Sequence, residues 1–259
     1  MVDPTRGVLY PARLPHFHRL PPPDEVAELV SWFWIPEWDI EQGRSSRQHV
    51  VGYPALNLVV EGREVTLSGA TTRATHRDLR GTGWAVGALL RPAAAAALTT
   101  DPASLVDGAI VLDEPELAEA VAAAMATGQG HRERAVAAFS RWLRARAGHI
   151  DEAGRLANAL VDAVLAGDAV ATPDEAALRL AVSVRTLQRL AHRHVGVPPA
   201  AMIRRRRLQD AAERLRADPD VDLATLAAEA GYADHAHLTR DFRAVLGIAP
   251  REYRTRSTG

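Results

Sequence analysis

Apolar and polar positions change their rhythm near residue 112. Before it, apolar residues come in short runs, SWFWI (31–35), ALNLVV (55–60), EVTLSG (64–69) and WAVGALL (84–90), interrupted by Gly, Pro and Asp. Runs of this length between turn formers predict strands. The stretch LVSWFWIPEW alternates poorly, so its two faces are not separable by period. After Asp113 the segments PELAEAVAAAMA and RERAVAAFSRWLRARAG, separated by GQG at 128–130, have helical period and composition. They predict a helical connector ending near Gly148.

Helix starts are well marked from there on. Asp151 precedes EAGRLANALVDAVLAG, and Thr172-Pro173-Asp174-Glu175 has the N-cap, first-turn proline and glutamate of a capping box. Ser183, Asp222 and Asp234 are residues of the N-cap type, and a long helix is expected over roughly Pro199 to Ala217. The pattern predicts an α+β multidomain chain: a mostly β N-terminal domain (1–112), a helical connector (113–150) and an all-α C-terminal domain (151–259).

Within the helical part the chain repeats itself. SVRTLQRLAHRHVGVPP (183–199) is echoed by the end of GYADHAHLTRDFRAVLGIAPREYR (231–254) at an offset of 51. Leu187 falls on Leu238, Arg189 on Arg240, Gly196 on Gly247 and Pro199 on Pro250. At roughly 100° per residue, Leu187, Leu190, Ala191 and Val195 share one helix face, with Arg185, Gln188, Arg189 and His192 largely opposite. In the second copy Leu238, Phe242, Val245 and Leu246 share a face. Ala236, His237, Arg240 and Arg243 lie away from it, and Thr239 is at the margin. Each copy follows a short helix and a tight turn, PDEAALRL in one case and LATLAAEAGYA in the other. Short helix, turn and amphipathic helix with Arg and Gln outward is the helix-turn-helix arrangement, in which the second helix enters the DNA major groove. Arginine pairs bidentately with guanine and glutamine with adenine, so these residue types suit base reading.

These segments, with RRRRLQDAAERL between them, make residues 151–257 resemble the DNA-binding domain of the AraC family of transcription regulators. The resemblance implies two helix-turn-helix units reading adjacent major-groove segments of double-stranded DNA. By position, Arg185, Gln188, Arg189 and His192 belong to the first unit's DNA-facing helix, and His235, His237, Thr239 and Arg240 to the second's. Two departures stand out. At offset 51 the first turn has Leu180-Ala181 where the second has Gly231-Tyr232, so the first lacks a glycine at the matched position. The second helix offers His and Ala where a base reader would carry Gln, Asn or Arg, which makes the first helix the reader and the second mainly a phosphate anchor. The N-terminal part also resembles an uncharacterised domain fused to such regulators. For it the resemblance implies sensing or dimerisation, with a small-molecule effector, a homodimer and RNA polymerase as candidate partners, and a cupin-like barrel by analogy alone.

Composition changes this picture little. Net charge is −1, all 31 basic residues are arginine, and the part after residue 150 carries 16 arginines against 15 acids. Any nucleic-acid reading therefore rests on placement and not on bulk charge. Absence of cysteine excludes disulfides and thiolate metal sites. The prolines and charges of MVDPTRGVLYPARLPHF argue against a signal peptide, and no run approaches a membrane span, so a cytoplasmic protein with no membrane partner is expected.

The other candidate sites are weaker. His192/His194 and His235/His237 are i,i+2 pairs on helices, about 200° apart, and cannot grip one ion. His16-Phe17-His18 could share a strand face, but no matching cluster follows, so neither metal nor cofactor is expected. Arg204 to Arg207 occupy a full helical turn; some must pair with acids such as Asp210, leaving one or two for phosphates. Trp32, Phe33, Trp34, Trp38, Tyr53 and Trp84 suit a ligand pocket or, more simply, a β core. No catalytic constellation stands out, so the chain is expected not to be an enzyme; the rival reading is a ligand-binding or metal-dependent enzyme domain tethered to the helical module.

Overall fold

The computed structural model describes residues 16–50, 53–126, 128–165 and 170–257. Residues 1–15, on which most of the signal-peptide argument rests, lie outside them. Among the described residues the N-terminal half contains nine strands, all paired antiparallel: β1 (His16–Leu20), β2 (Val30–Asp39), β3 (Ser46–Val50), β4 (Asn57–Glu61), β5 (Glu64–Ser68), β6 (Thr75–Leu79), β7 (Thr82–Trp84), β8 (Val86–Leu90) and β9 (Ala109–Leu112). The main sheet runs β1-β2-β8-β4-β5-β9 with β7 also on β2, while β3 and β6 form a separate ribbon. The poor alternation of LVSWFWIPEW has a structural cause: the β2–β8 register slips between Val30 and Trp32, and such an irregularity changes which residues face the core.

One sheet face carries Phe33, Ile35, Leu58, Val60, Val65, Leu67 and Leu90, all essentially buried. The connector does not span open space. Its helices α2 (Pro115–Met125) and α3 (His131–Ala147), which follow a one-turn α1 (Ala95–Leu98), lay Leu117, Val121, Val136, Phe139 and Leu143 on that face. Phe33 meets Phe139 edge to face at 5.4 Å, worth about 0.5–1.5 kcal/mol beyond the buried area. On the other face the Trp34 and Trp38 rings lie over Gly87 and Gly83, where any β-carbon would collide with them. Their indole N–H groups donate to Asn57 Oδ1 and to the Arg80 carbonyl, both at 3.2 Å. Trp32 packs edge-on against Tyr53 under the Arg19 guanidinium.

The C-terminal part is wholly helical among the described residues: α4 (Glu152–Leu165), α5 (Pro173–Arg179), α6 (Val184–His194), α7 (Pro199–Ala217), α8 (Leu223–Glu229), α9 (His235–Leu246) and α10 (Pro250–Ser257). It has two apolar cores. Leu160, Val164, Ala176, Leu187, Ala191, Val195, Met202 and Ile203 build the first. Leu208, Leu215, Leu226, Leu238, Phe242, Leu246 and Tyr253 build the second. The long helix α7 gives its N-terminal turns to one core and its C-terminal turns to the other, which is how one chain carries two small helical units.

Candidate nucleic-acid interface

Each unit is a short helix, a turn and an amphipathic helix, and side chains fix each boundary. In the first, Thr172 Oγ1 accepts from Glu175 N–H at 3.1 Å, while the Glu175 carboxylate reaches back to Ala171 N–H at 2.7 Å. Ser183 Oγ accepts from Thr186 N–H at 3.1 Å and starts α6. In the second, Asp222 Oδ2 accepts from Ala224 and Thr225 N–H, and Asp234 Oδ1 accepts from His237 N–H at 2.7 Å. These bonds satisfy amide donors that have no partner within the helix, each cap being worth about 1 kcal/mol. They also stabilise the ionised form of Asp222 and Asp234 and hold both carboxyls below the usual carboxylate range.

The two turns are not superimposable at the offset of 51. Leu180 ends α5 and Ala181 turns left-handed at φ 53°, whereas Ala230 ends α8 and Gly231 turns left-handed at φ 72°. Val182 N–H donates to Ala177 O, and Tyr232 N–H donates to Ala227 O in the same way. The structural partner of Gly231 is thus Ala181, at an offset of 50. The second turn then inserts Ala233 before its N-cap and returns the helices to 51. The absence of a glycine at Leu180 is therefore no departure; the departure is an alanine doing the work of a glycine.

Helix faces fall where the period puts them. Leu187 and Ala191 are fully buried, while Arg185, Gln188, Arg189 and His192 are exposed on the opposite side of α6. On α9, Leu238 and Phe242 are fully buried, His235, Ala236, His237, Arg240 and Arg243 are exposed, and Thr239 is half-buried. The His237 ring sits edge-on to Tyr232 at 5.1 Å, so the extra turn residue's neighbour shapes the start of the second exposed face. At the far end of the unit Tyr253 is buried against Phe242, and Arg216 donates to its hydroxyl at 2.6 Å.

The histidine pairs diverge: His192 is exposed, whereas His194 is buried with Nδ1 3.3 Å from the Pro92 carbonyl oxygen. Burial lowers the pKa of His194. On β1, His16 lies opposite Glu37, but that carboxylate is already bonded to His131 and Arg132. No group of three His, Cys, Asp or Glu among the described residues is arranged to hold a metal.

The arginine turn departs most from expectation. Arg204 pairs bidentately with Asp241 of α9 at 2.6 and 2.7 Å. Arg205, 3% exposed, donates to the Thr71 carbonyl at 2.7 Å. Arg206 pairs with Asp210, and Arg207 donates to the carbonyls of Ala171 and Gly231. Pairing with acids such as Asp210 is as expected. Less expected, all four bond within the protein at once, although the Arg204 side chain stays 48% exposed beside Asp241.

The Arg205 contact belongs to a wider seam between the two halves. Asn158, buried in α4, accepts from Ala93 N–H at 2.9 Å and donates to Glu28 O at 2.8 Å. Ala70 is fully buried in the first helical core, and Gly196 lies so close to the Pro102 backbone that a β-carbon would stand 2.6 Å from its carbonyl oxygen. Sequence reasoning passed over these residues. The available signals were an asparagine inside an apolar helical stripe and four successive arginines, one of which must face inward.

Residues 176–256 match a family described as a helix-turn-helix domain, and residues 18–111 match a domain of unknown function, DUF6597. The chain thus carries a helix-turn-helix domain behind a domain of unknown function. It is similar to the HTH-type transcriptional activator RhaS of Escherichia fergusonii, 38% identical over 76 residues, and to RhaS of Pectobacterium carotovorum, 33% identical over 76 residues. Each match spans 29% of this chain and 27% of the relative. The solved structure of ToxT from Vibrio cholerae O395 aligns over 94% of this chain and 97% of its own, with 11% identity and a TM-score of 0.43.

Proposed function

We propose that the protein is a sequence-specific DNA-binding transcription regulator. The observation that carries this is the pair of capped, amphipathic helices α6 and α9, each second in a helix-turn-helix and each turning an exposed polar face to solvent. Arg185, Gln188 and Arg189 on α6 are the base-reading set, with His192 beside them; His235, His237, Thr239 and Arg240 on α9 are the second contact set, with Arg240 on phosphate. The similarity of this region to transcriptional activators supports the reading.

The N-terminal sheet with its α2–α3 cover is the regulatory part, taking a small-molecule effector or a second copy of the chain. Residues 151–259 are the DNA-binding part, and the connector, 113–150, belongs to the regulatory half by its packing. We place the protein in the cytoplasm; no helix among the described residues is long and apolar enough to cross a membrane. RNA polymerase is the partner through which bound regulator would act. Selecting genomic fragments with the purified full chain tests the core of this reading. A shared motif spanning two adjacent major-groove segments is expected; recovery of fragments without any motif would refute sequence-specific binding.

A further inference from the structure

We infer that Arg205 is a positioning residue that couples the N-terminal domain to the relative pose of α6 and α9. This rests on the DNA-binding reading only for its consequence on DNA; the mechanical claim stands on geometry alone. Four successive arginines point around α7 at the point where it passes from one helical core to the other. Arg204 grips Asp241 of the second unit. Arg207 bridges Gly231 in the second unit's turn and Ala171 at the entrance of the first. Arg205 alone of the four reaches the N-terminal domain. One helical turn therefore ties three bodies together.

The receiving side is a built structure. Thr71 lies in a loop that carries Ala70 into the first helical core. That loop is held by Asp107, whose carboxylate accepts from Thr72 N–H at 2.7 Å and from its hydroxyl, and whose own N–H donates to Ala70 O at 3.0 Å. Asp107 takes a left-handed backbone at φ 57°, a conformation a non-glycine residue holds only when its surroundings over-determine it. Gly69 presses on the Leu105 backbone from the other side, with no room for a β-carbon. A shift of the 69–72 and 105–108 loops thus moves the carbonyl to which α7 is tied. An arginine buried at 3% exposure, bonded to a backbone carbonyl with the Asp107 carboxylate as a nearby opposite charge, is a weak source of stability, because desolvation offsets most of the gain. It is well suited to fixing one orientation of a helix.

The chain contains no cysteine, so Arg193→Cys on α6 and Ala244→Cys on α9, both exposed, provide two unique attachment points for spin labels in the full-length protein. A single narrow inter-helix distance is expected with Arg205 present. Arg205→Met should broaden or shift that distribution without loss of helical content, Arg205→Lys should restore part of the narrow peak, and Asp107→Asn, which tolerates the left-handed backbone, should broaden it by loosening the loop. An unchanged distribution in folded Arg205→Met or, should that variant not fold, in Asp107→Asn overturns the inference. On a DNA fragment selected by the unmodified protein, Arg205→Met should lose about tenfold in affinity, within the usual range for coupled sites, with its salt dependence unaltered. A shallower salt dependence would make Arg205 a phosphate contact and overturn the positioning role. If the unmodified protein selects no DNA, the DNA-binding reading fails, and the distance measurement still decides the role of Arg205.

Discussion

Ala181 and Gly231 hold the same position in the two helix-turn-helix turns, both left-handed, at φ 53° and 72°. A β-carbon in this region crowds the following carbonyl and costs about 1–2 kcal/mol, which glycine avoids. Ala181→Gly should therefore stabilise the first unit, the relief of strain exceeding the added flexibility of the unfolded chain, by about 0.5–1 kcal/mol net. Gly231→Ala should destabilise the second by about 1–2 kcal/mol, with the new methyl also meeting the Arg207 guanidinium at 3.4 Å. Denaturant titration of the two variants, read as midpoint shifts of opposite sign, checks both.

That pair also shows how far the sequence could be read. The caps at Thr172, Ser183, Asp222 and Asp234, the buried faces of α6 and α9 and the bounds of α7 were legible, because each depends on residues within one or two turns of each other. A one-residue insertion was not, since the echo is strong over Leu187–Pro199 and weak over the turn, and the alignment carried the wrong offset backwards. The destinations of Arg205, Asn158 and Ala70 were hidden for a different reason. Asn158 bonds to residues 65 and 130 positions away and Arg205 to one 134 away, while Ala70 packs into the helical core, and no local pattern encodes such a pairing. Strand β9 and the ribbon of β3 and β6 likewise depend on long-range ladders.

The first recognition helix should carry most of the sequence information. Arg185, Gln188 and Arg189 are exposed opposite buried Leu187 and Leu190, so alanine at any of them should leave the melting temperature within a degree or so. Loss of a bidentate base contact should cost about 1–3 kcal/mol of binding and relax preference at defined base pairs. Arg240→Ala should weaken binding evenly across sequences. Base-preference profiles in which Arg240→Ala erases one position while Arg185→Ala and Gln188→Ala erase none would reverse the assignment.

Affinity for the selected DNA should fall steeply with salt, since each arginine–phosphate contact releases counterions and contributes about 0.9 to the slope of log K against log salt. With all four arginines of the 204–207 turn already bonded within the protein, the slope is expected to come mainly from arginines outside it. Arg240→Ala should lower it by about 0.9, and Arg204→Ala should not lower it by that route. Equilibrium binding across a salt series, compared between the two variants, separates them.

Acid should loosen the two units unequally. The N-cap bonds of the first unit come from the hydroxyls of Thr172 and Ser183, which do not titrate, with one further bond from Ala171 N–H to the Glu175 carboxylate, and those of the second come from the carboxylates of Asp222 and Asp234. Hydrogen bonds donated by backbone N–H groups hold both carboxyl pKa values below the ordinary 3.8. For a group whose folded-state pKa is depressed, the stabilisation is complete above the unfolded value and is lost as pH falls through the folded one. The caps of α8 and α9 should thus be intact at neutral pH and fail only below about pH 4, where protonated Asp222 and Asp234 are weaker acceptors and no longer favour the positive helix N-termini. Amide hydrogen exchange over a descending pH series, corrected for intrinsic rates, should show protection lost at 223–230 and 235–247 before 173–180 and 184–195. Replacing both caps, as Asp222→Ser with Asp234→Ser, should remove the difference in onset. Loss of protection in both units at the same pH in the unmodified protein would show that the cap chemistry does not set their relative acid stability.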